Sequence, residues 1–170
     1  MKSIIADLQD QAVEAIETGL TDSGGNQHIK VELLHTDDEI RLGEYIADNE
    51  RRIGRIPHAF VYAGNVVFQD ADSTGKFVTA QIPMRVFVAT RDNSTNDQEI
   101  QHRKASKWSF YVAAALAGEE ARSTATNSAF FREPNVEPIS NTERSSLWEV
   151  RLTVEINMDT ELILTELDNE

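Results

Sequence analysis

The sequence predicts an α+β fold: a mixed, largely antiparallel sheet with two to three helices packed mainly on one face. Two segments, 77–90 (FVTAQIPMRVFVAT) and 148–158 (WEVRLTVEINM), alternate apolar and polar residues over long stretches. That alternation is typical of strands with one buried face. A long helical pattern at 97–117 lies between them and supplies an element that can cover this face.

The amino-terminal segment predicts an amphipathic helix of about four turns. Its apolar residues recur at helical spacing, acids occupy the other side, and Gly19 stands where the helix would stop. The turn-forming segment 21–27 (TDSGGNQ) then leads into a first strand at 28–34, in which apolar and charged residues alternate.

Three further elements are predicted before the long strand at 77–90. Thr36 and Glu39 form a capping box, which predicts a short helix beginning near Asp37. The segment HAFVYA predicts a strand buried on both faces. The Gly-Asn pair behind it then turns the chain into a short antiparallel run at 66–69.

The polar connection at 70–76 (DADSTGK) partly matches two ligand-binding loops and completes neither. A phosphate-binding P-loop requires glycine at position 70 and serine or threonine at position 77, where this chain has Asp70 and Phe77. A calcium loop beginning at Asp70 would end at Gln81, where a bidentate glutamate is required. We therefore expect a hairpin loop or a small surface excursion here, with no cofactor.

The long helix has two open choices of amino-terminal cap, Thr95 with Gln98 or Asn96 with Glu99. After the helix, segment 119–144 loses all periodicity and is rich in Ser, Thr, Asn and Pro. So long an irregular stretch in a compact domain is typical of a functional loop or a contact arm.

Composition limits the classes of function. The formal charge of −13 argues against a protein whose main task is to grip nucleic acid, because that binding needs a concentrated basic surface. The chain contains no cysteine, which excludes disulfides, thiolate metal sites and cysteine nucleophiles. No apolar run is long enough to span a bilayer, so we expect a soluble protein made in the cytoplasm, without a membrane partner.

The sequence contains no recognisable catalytic or metal-binding motif. Its four histidines show no metal-ligand spacing, and no serine stands in a nucleophile-elbow motif. We therefore predict binding or structural work and no enzymatic activity. An enzyme of unrecognised type stays an alternative, and it would show a deep pocket with perturbed titratable groups.

One domain at residues 1–158 and an acidic but apolar docking tail at 159–170 are expected. The tail carries five acids and no base, and the only local concentration of positive charge is an arginine cluster at 51–55. Such a cluster complements the acidic tail of another copy, or it is a solvated helix end. The candidate subunit-interface residues are Arg51, Arg52, Arg55, Asp70, Asp72, Lys76, Phe130, Phe131, Leu162 and Leu164.

Taken together, several segments resemble the Mu-type bacteriophage tail-terminator, or tail-completion, family. They are the starting helix, HTDDEIRLGEYIADNERRIGRIPHAFVYAG, the strand IPMRVFVATRD, a helix ending AALAG and a closing strand LWEVRLTVEI. The similarity is one of layout and covers most of the chain up to about residue 158.

This resemblance implies a non-enzymatic virion protein that assembles into a ring, expected to be a hexamer, and caps the tail tube. It implies self-association, contact with the tail tube and the head-neck connector, and no cofactor, with sheath proteins as an open further partner. DNA would pass through the ring without specific binding. The implied location is the tail-neck junction, after assembly in the host cytoplasm. Another neck or head-completion protein, or an unrelated non-enzymatic binding module, stays an alternative.

Overall fold

The computed structural model describes residues 4–34, 56–71, 75–91, 94–117, 120–121, 126–142, 144–159 and 161. The helices and strands of this part of the chain, in order, are α1 (Ile4–Gly19), β1 (Lys30–Leu33), β2 (His58–Ala63), β3 (Val67–Ala71), β4 (Phe77–Arg91), α2 (Gln98–Leu116), β5 (Glu120–Ala121), β6 (Thr126–Asn141) and β7 (Ser145–Asp159). The helix predicted to begin near Asp37 lies outside the described residues.

The strands form one sheet in the order β1-β2-β4-β7-β6-β5, and β3 adds to β4 beside β2. Among the described strands only β1 and β2 run parallel, and the other pairs are antiparallel. The predicted α+β class with a mixed, largely antiparallel sheet is therefore confirmed.

The centre of the sheet is the ladder between β4 and β7. Its fifteen residue pairs run from Phe77 opposite Asp159 to Arg91 opposite Ser145, without a single shift of register. At about 3.4 Å per residue, each strand is about 50 Å long, well beyond the usual five or six residues. These two strands are the ones that alternate most strongly in sequence, and the alternation fixes which face is buried.

Both described helices pack on the same face of this sheet. They contribute Leu8, Ala12 and Ile16 from α1 and Val112 and Leu116 from α2 to the main apolar core. The sheet supplies alternating apolar side chains of its strands. They are Ala59, Val61, Ala63, Ala80, Ile82, Met84, Val86, Val88, Phe131, Val150, Leu152, Val154 and Ile156.

The amino terminus of α2 is capped by Asp97, which differs from both predicted caps. The Asp97 carboxylate accepts hydrogen bonds from the backbone N–H groups of Glu99 and Ile100. Thr95 lies one step further out, where its hydroxyl accepts from the Asp97 N–H. A charged acceptor suits the positive end of the helix dipole better than either alternative.

The prediction that segment 119–144 is irregular was wrong. Most of it is strand β6, which pairs with β7, and β5 pairs with the start of β6. Three register shifts interrupt the β6–β7 ladder, one of them between Arg132 and Asn135, where Glu133 has a φ of 53°. Such bulges reset the alternation, so the period of two is lost from the sequence although the strand persists.

Strand β2 is buried along most of its length, as the sequence predicts. After Ala63 the chain leaves β4 for three residues and then returns to it as β3. Gly64 lies at this break, where its N–H donates to the carbonyl of Pro83 at 2.7 Å. A Cβ at Gly64 would lie 2.9 Å from the Pro83 ring, so the close approach requires glycine.

Candidate assembly surfaces

The predicted interface residues fall into three groups. Arg51, Arg52, Arg55, Asp72, Leu162 and Leu164 lie outside the described residues. Asp70 and Phe130 lie on strands β3 and β6, where Phe130 pairs with Glu155, and only their backbone is described. Lys76 and Phe131 are described in full.

Phe131 is a core residue of the single chain. Its side chain is 2% exposed and belongs to the apolar cluster between the sheet and the helices. It lies on β6 opposite Val154, on the face that the helices cover. Because it is buried within one chain, Phe131 offers little exposed surface to a neighbouring subunit, and its part in an interface stays a prediction.

Lys76 lies in the connection from β3 to β4, which the structure shows to be a hairpin. Its ammonium is 4.0 Å from the carboxylate of Glu161 and 5.9 Å from the ring centroid of Phe77. The hairpin and the end of β7 therefore meet at this end of the sheet, where Phe77 pairs with Asp159.

An apolar sheet edge lies next to this hairpin. Within the described part of the chain, β3 pairs only with β4, and its other edge is open. The side chains of Val67 and Phe68 on this strand are 57% and 64% exposed. The opposite edge of the plate is different, because β6 carries Pro134 and Pro138, residues that discourage pairing with another strand.

A second exposed apolar surface is the outer face of α2, which we define by Ile100, Arg103, Lys107, Phe110 and Tyr111. The Phe110 side chain is 60% exposed, and Ile100 and Tyr111 are also exposed. Between them stand two bases: the Arg103 guanidinium pairs with Glu99 one turn back, and the Lys107 ammonium lies 5.5 Å from the Tyr111 ring centroid.

The sheet face opposite the helices carries a line of charged residues that sequence reasoning missed. The carboxylate of Glu149 is fully buried and accepts hydrogen bonds from Arg85 on β4 and from Arg151 two residues further along β7. Arg151 also pairs with Glu137 on β6, at 2.8 Å. We call these four residues the charged ladder, because they tie β4, β7 and β6 together across the sheet.

The pKa of Glu149 reflects two opposing influences. Burial on its own raises the pKa, but the hydrogen bonds and positive charges of Arg85 and Arg151 outweigh it. The net result is a pKa below the ordinary value, so the carboxylate stays ionised at neutral pH. Beside it, the Arg85 guanidinium lies 4.8 Å from the Phe87 ring centroid, over a small apolar cluster of Phe60, Phe87 and Ala89.

Between the helices lies an open groove of about 820 Å³. Its walls are the carboxy-terminal half of α1 and the segment of α2 around Tyr111 and Ala115, and Phe131 contributes to its lining. Gly19 of α1 allows the close approach, since a Cβ there would lie 2.9 Å from the Cβ of Ala115.

Neither a metal-binding group nor a membrane span is found in the described residues. No three side chains of the metal-ligating types come together there. The helices α1 and α2 do not combine the length and hydropathy that crossing a bilayer requires.

Comparisons with known proteins found similar solved structures but no similar sequence. No protein-family profile and no curated protein matches the sequence. The chain is similar to one chain of the solved structure titled "Virion of native gene transfer agent (GTA) particle", with 12% identity, coverage of 92% of this chain and 99% of that one, and a TM-score of 0.48. A second solved structure shows 13% identity, coverage of 89% and 88%, and a TM-score of 0.41. At these values neither likeness identifies a family or a function, so the functional argument rests on the surfaces above.

Proposed function

We propose that this chain is a structural virion protein of a tailed phage or phage-like particle. In this proposal it is a tail terminator, which caps the tail tube as a ring and joins the tail to the head-neck connector. The resemblance in sequence layout to the tail-terminator family is the reason to propose this particular role. The surfaces of the folded chain supply the reason to expect assembly.

The observation that carries the proposal is the open apolar edge at β3. Proteins that work alone normally blunt such an edge with prolines, charges or a covering element, as β6 does with Pro134 and Pro138. Here Val67 and Phe68 stand exposed on β3 instead. In the described part of the chain this edge is therefore available for pairing with another copy. A contact that joins it to a different surface of the next copy forms a ring when the rotation between copies closes.

The long ladder of β4 and β7 suits the same role. Fifteen paired residues without a register shift make a stiff plate, on which the hairpin at one end and α2 on one face keep fixed positions. A ring subunit that measures and caps a tube needs this rigidity more than it needs a pocket. The proposal includes no catalytic step and no cofactor.

The acidic composition would let DNA move through the proposed ring without binding to it. With a net charge of −13 per chain, acids facing the channel would repel the phosphate backbone, so DNA would slide without adhering. Purified rings should therefore retain no duplex DNA in a filter-binding assay at low salt. Retention there would contradict this part of the proposal.

Electron microscopy provides the main test. The purified full-length protein should form rings, with six subunits expected from the resemblance, and particles assembled without it should carry tails of uncontrolled length. Normal tail lengths in its absence would overturn the terminator role. If rings form but lie elsewhere in the neck of intact particles, the protein is a neck or head-completion component. A monomer at all concentrations would favour an unrelated binding module.

A further inference from the structure

In the part of the chain that the structure describes, no other element covers the outer face of α2. Its apolar side chains, Ile100, Phe110 and Tyr111, are exposed at one side of a helix whose other side is packed on β7 and β6. Exposed apolar residues of this size, grouped along one helix face, are typical of a contact surface.

The charge of this helix is opposite to that of the chain. Helix α2 contains three bases, Arg103, Lys104 and Lys107, and one acid, Glu99, in a protein of net charge −13. A partner for its outer face should therefore combine apolar side chains with acidic ones. In this sequence segment 160–170 has that composition: four acids, no base, and the apolar residues Leu162, Ile163, Leu164 and Leu167.

We infer that the carboxy-terminal segment 160–170 of a second copy binds the outer face of α2. The apolar side chains of the segment would cover Phe110, Tyr111 and Ile100, and its acids would face Arg103 and Lys107. This inference rests on the proposed ring and gives it a contact: each subunit donates a terminal segment to one neighbour and receives one from the other.

The length of the segment fits this exchange. It leaves the sheet where Asp159 pairs with Phe77, at one end of the plate. Glu161 lies beside Lys76 of its own chain, so residues 162–170 are the part that can reach a neighbour. These nine residues reach about 30–32 Å when extended, and the nineteen residues of α2 span about 28 Å. The segment can therefore follow most of the outer face of a neighbouring α2. Because Ile100, Phe110 and Tyr111 stay exposed in one chain, the surface is available to another copy.

The lack of cysteine allows a direct test by engineered disulfides. Two full-length variants, Phe110→Cys and Leu164→Cys, are made separately, assembled together and oxidised. A disulfide between the two different chains can form only if the segment of one copy reaches α2 of another. The matched control replaces Phe110→Cys by Ser23→Cys, an exposed position in the turn after α1, and should give at least tenfold less heterodimer.

Reversing the charges on the two surfaces provides a second test that does not depend on cysteine chemistry. The double change Arg103→Glu with Lys107→Glu should weaken self-association at least tenfold in sedimentation equilibrium. Adding Glu166→Lys and Asp168→Lys in the same chain should restore most of the affinity. Far-ultraviolet circular dichroism on each variant checks that the fold persists.

The outcomes separate this inference from the ring itself. Interchain disulfides together with restored affinity would support it. Rings without the 110–164 disulfide would overturn it and leave the proposed function standing. A disulfide that forms only within one chain of the Phe110→Cys/Leu164→Cys double variant would also overturn it, because the segment would then bind its own α2. A wild-type chain that never associates would overturn the ring, and this contact with it.

Discussion

Arg85 and Arg151 lie directly opposite each other in the β4–β7 ladder, although both side chains are positively charged. Like charges in this position repel and destabilise a sheet. Glu149 relieves the repulsion, because its buried carboxylate accepts a hydrogen bond from each guanidinium. The outer face of the sheet thus depends on one carboxylate that has no contact with solvent.

Arg85→Ala should destabilise the fold more than Arg151→Ala. The side chain of Arg85 is only 20% exposed and that of Arg151 is 53% exposed, so Arg85 protects Glu149 more completely. Removing one partner of a buried pair leaves a buried charge, which costs about 3 kcal/mol, while loss of an exposed pair costs about 1 kcal/mol or less. Urea denaturation measures both. Lys30→Ala, which breaks an exposed pair on β1, is the control and should cost about 1 kcal/mol or less. Equal losses for Arg85 and Arg151 would contradict the ranking.

Acid should weaken the fold in two separate pH ranges. Burial, helped by the nearby Lys30, holds the pKa of His58 below its ordinary 6.5, so the unfolded chain binds the proton more readily and stability falls as the pH drops below about 6.5. The pKa of Glu149 is also lowered, here from 4.5, so its stabilisation is present above that value and lost as the pH falls through the folded pKa.

Denaturation midpoints at pH 7.5, 5.5 and 3 can separate the two groups. His58→Gln should reduce the difference between pH 7.5 and 5.5, and Glu149→Gln should reduce the difference between pH 5.5 and 3. If His58→Gln left the upper range unchanged, another group would be responsible for it.

Gly19→Ala should destabilise the contact between α1 and α2. The added methyl would lie 2.9 Å from the Cβ of Ala115, closer than carbon atoms tolerate. Overpacking of this kind costs about 1–3 kcal/mol. The double variant Gly19→Ala/Ala115→Gly moves the methyl from one helix to the other and should recover part of the loss, which a double-mutant cycle in urea can measure. No recovery would mean that the cost arises from the backbone of Gly19 and not from the contact.

Phe68→Lys should prevent assembly of the proposed ring and leave the subunit folded. Phe68 is 64% exposed on the open edge of β3, so the free energy of unfolding of the monomer should change by less than about 0.5 kcal/mol. Charge on that edge should oppose pairing with a neighbour. Light scattering after size exclusion measures the mass, and Ser23→Lys, in the exposed turn after α1, is the control that should keep the ring. Rings that survive Phe68→Lys would remove the β3 edge from the contact.

A strand could be predicted from the sequence when its pairing register is unbroken, and it was missed when the register shifts. β4 and β7 were predicted almost to their ends, because fifteen consecutive pairs preserve the alternation along both. β6 was missed, because each of its three register shifts exchanges the inward and outward positions. Its prolines also predict a loop when only the neighbouring residues are considered, although a strand at the edge of a sheet tolerates proline.

The charged ladder was missed for a different reason. Glu149 and Arg151 alternate with apolar residues, as solvent-facing charges usually do, so the pattern predicts an exposed face. Only the register, which places Arg85 opposite Arg151, shows that the charges of two strands converge. The alternating signs of Glu149 and Arg151 on β7, together with the lone charge of Arg85 inside β4, are the one signal that the sequence offers.

The unbroken register of β4 and β7 also determines how the subunit would respond to force. A pull along the strand direction at opposite ends of these two strands would load fifteen residue pairs at the same time, so none could fail before its neighbours. A pull across the strands would instead open the pairs one after another. A subunit oriented with β4 along the direction of tension would thus resist extension best, and single-molecule stretching from different attachment points could measure this difference.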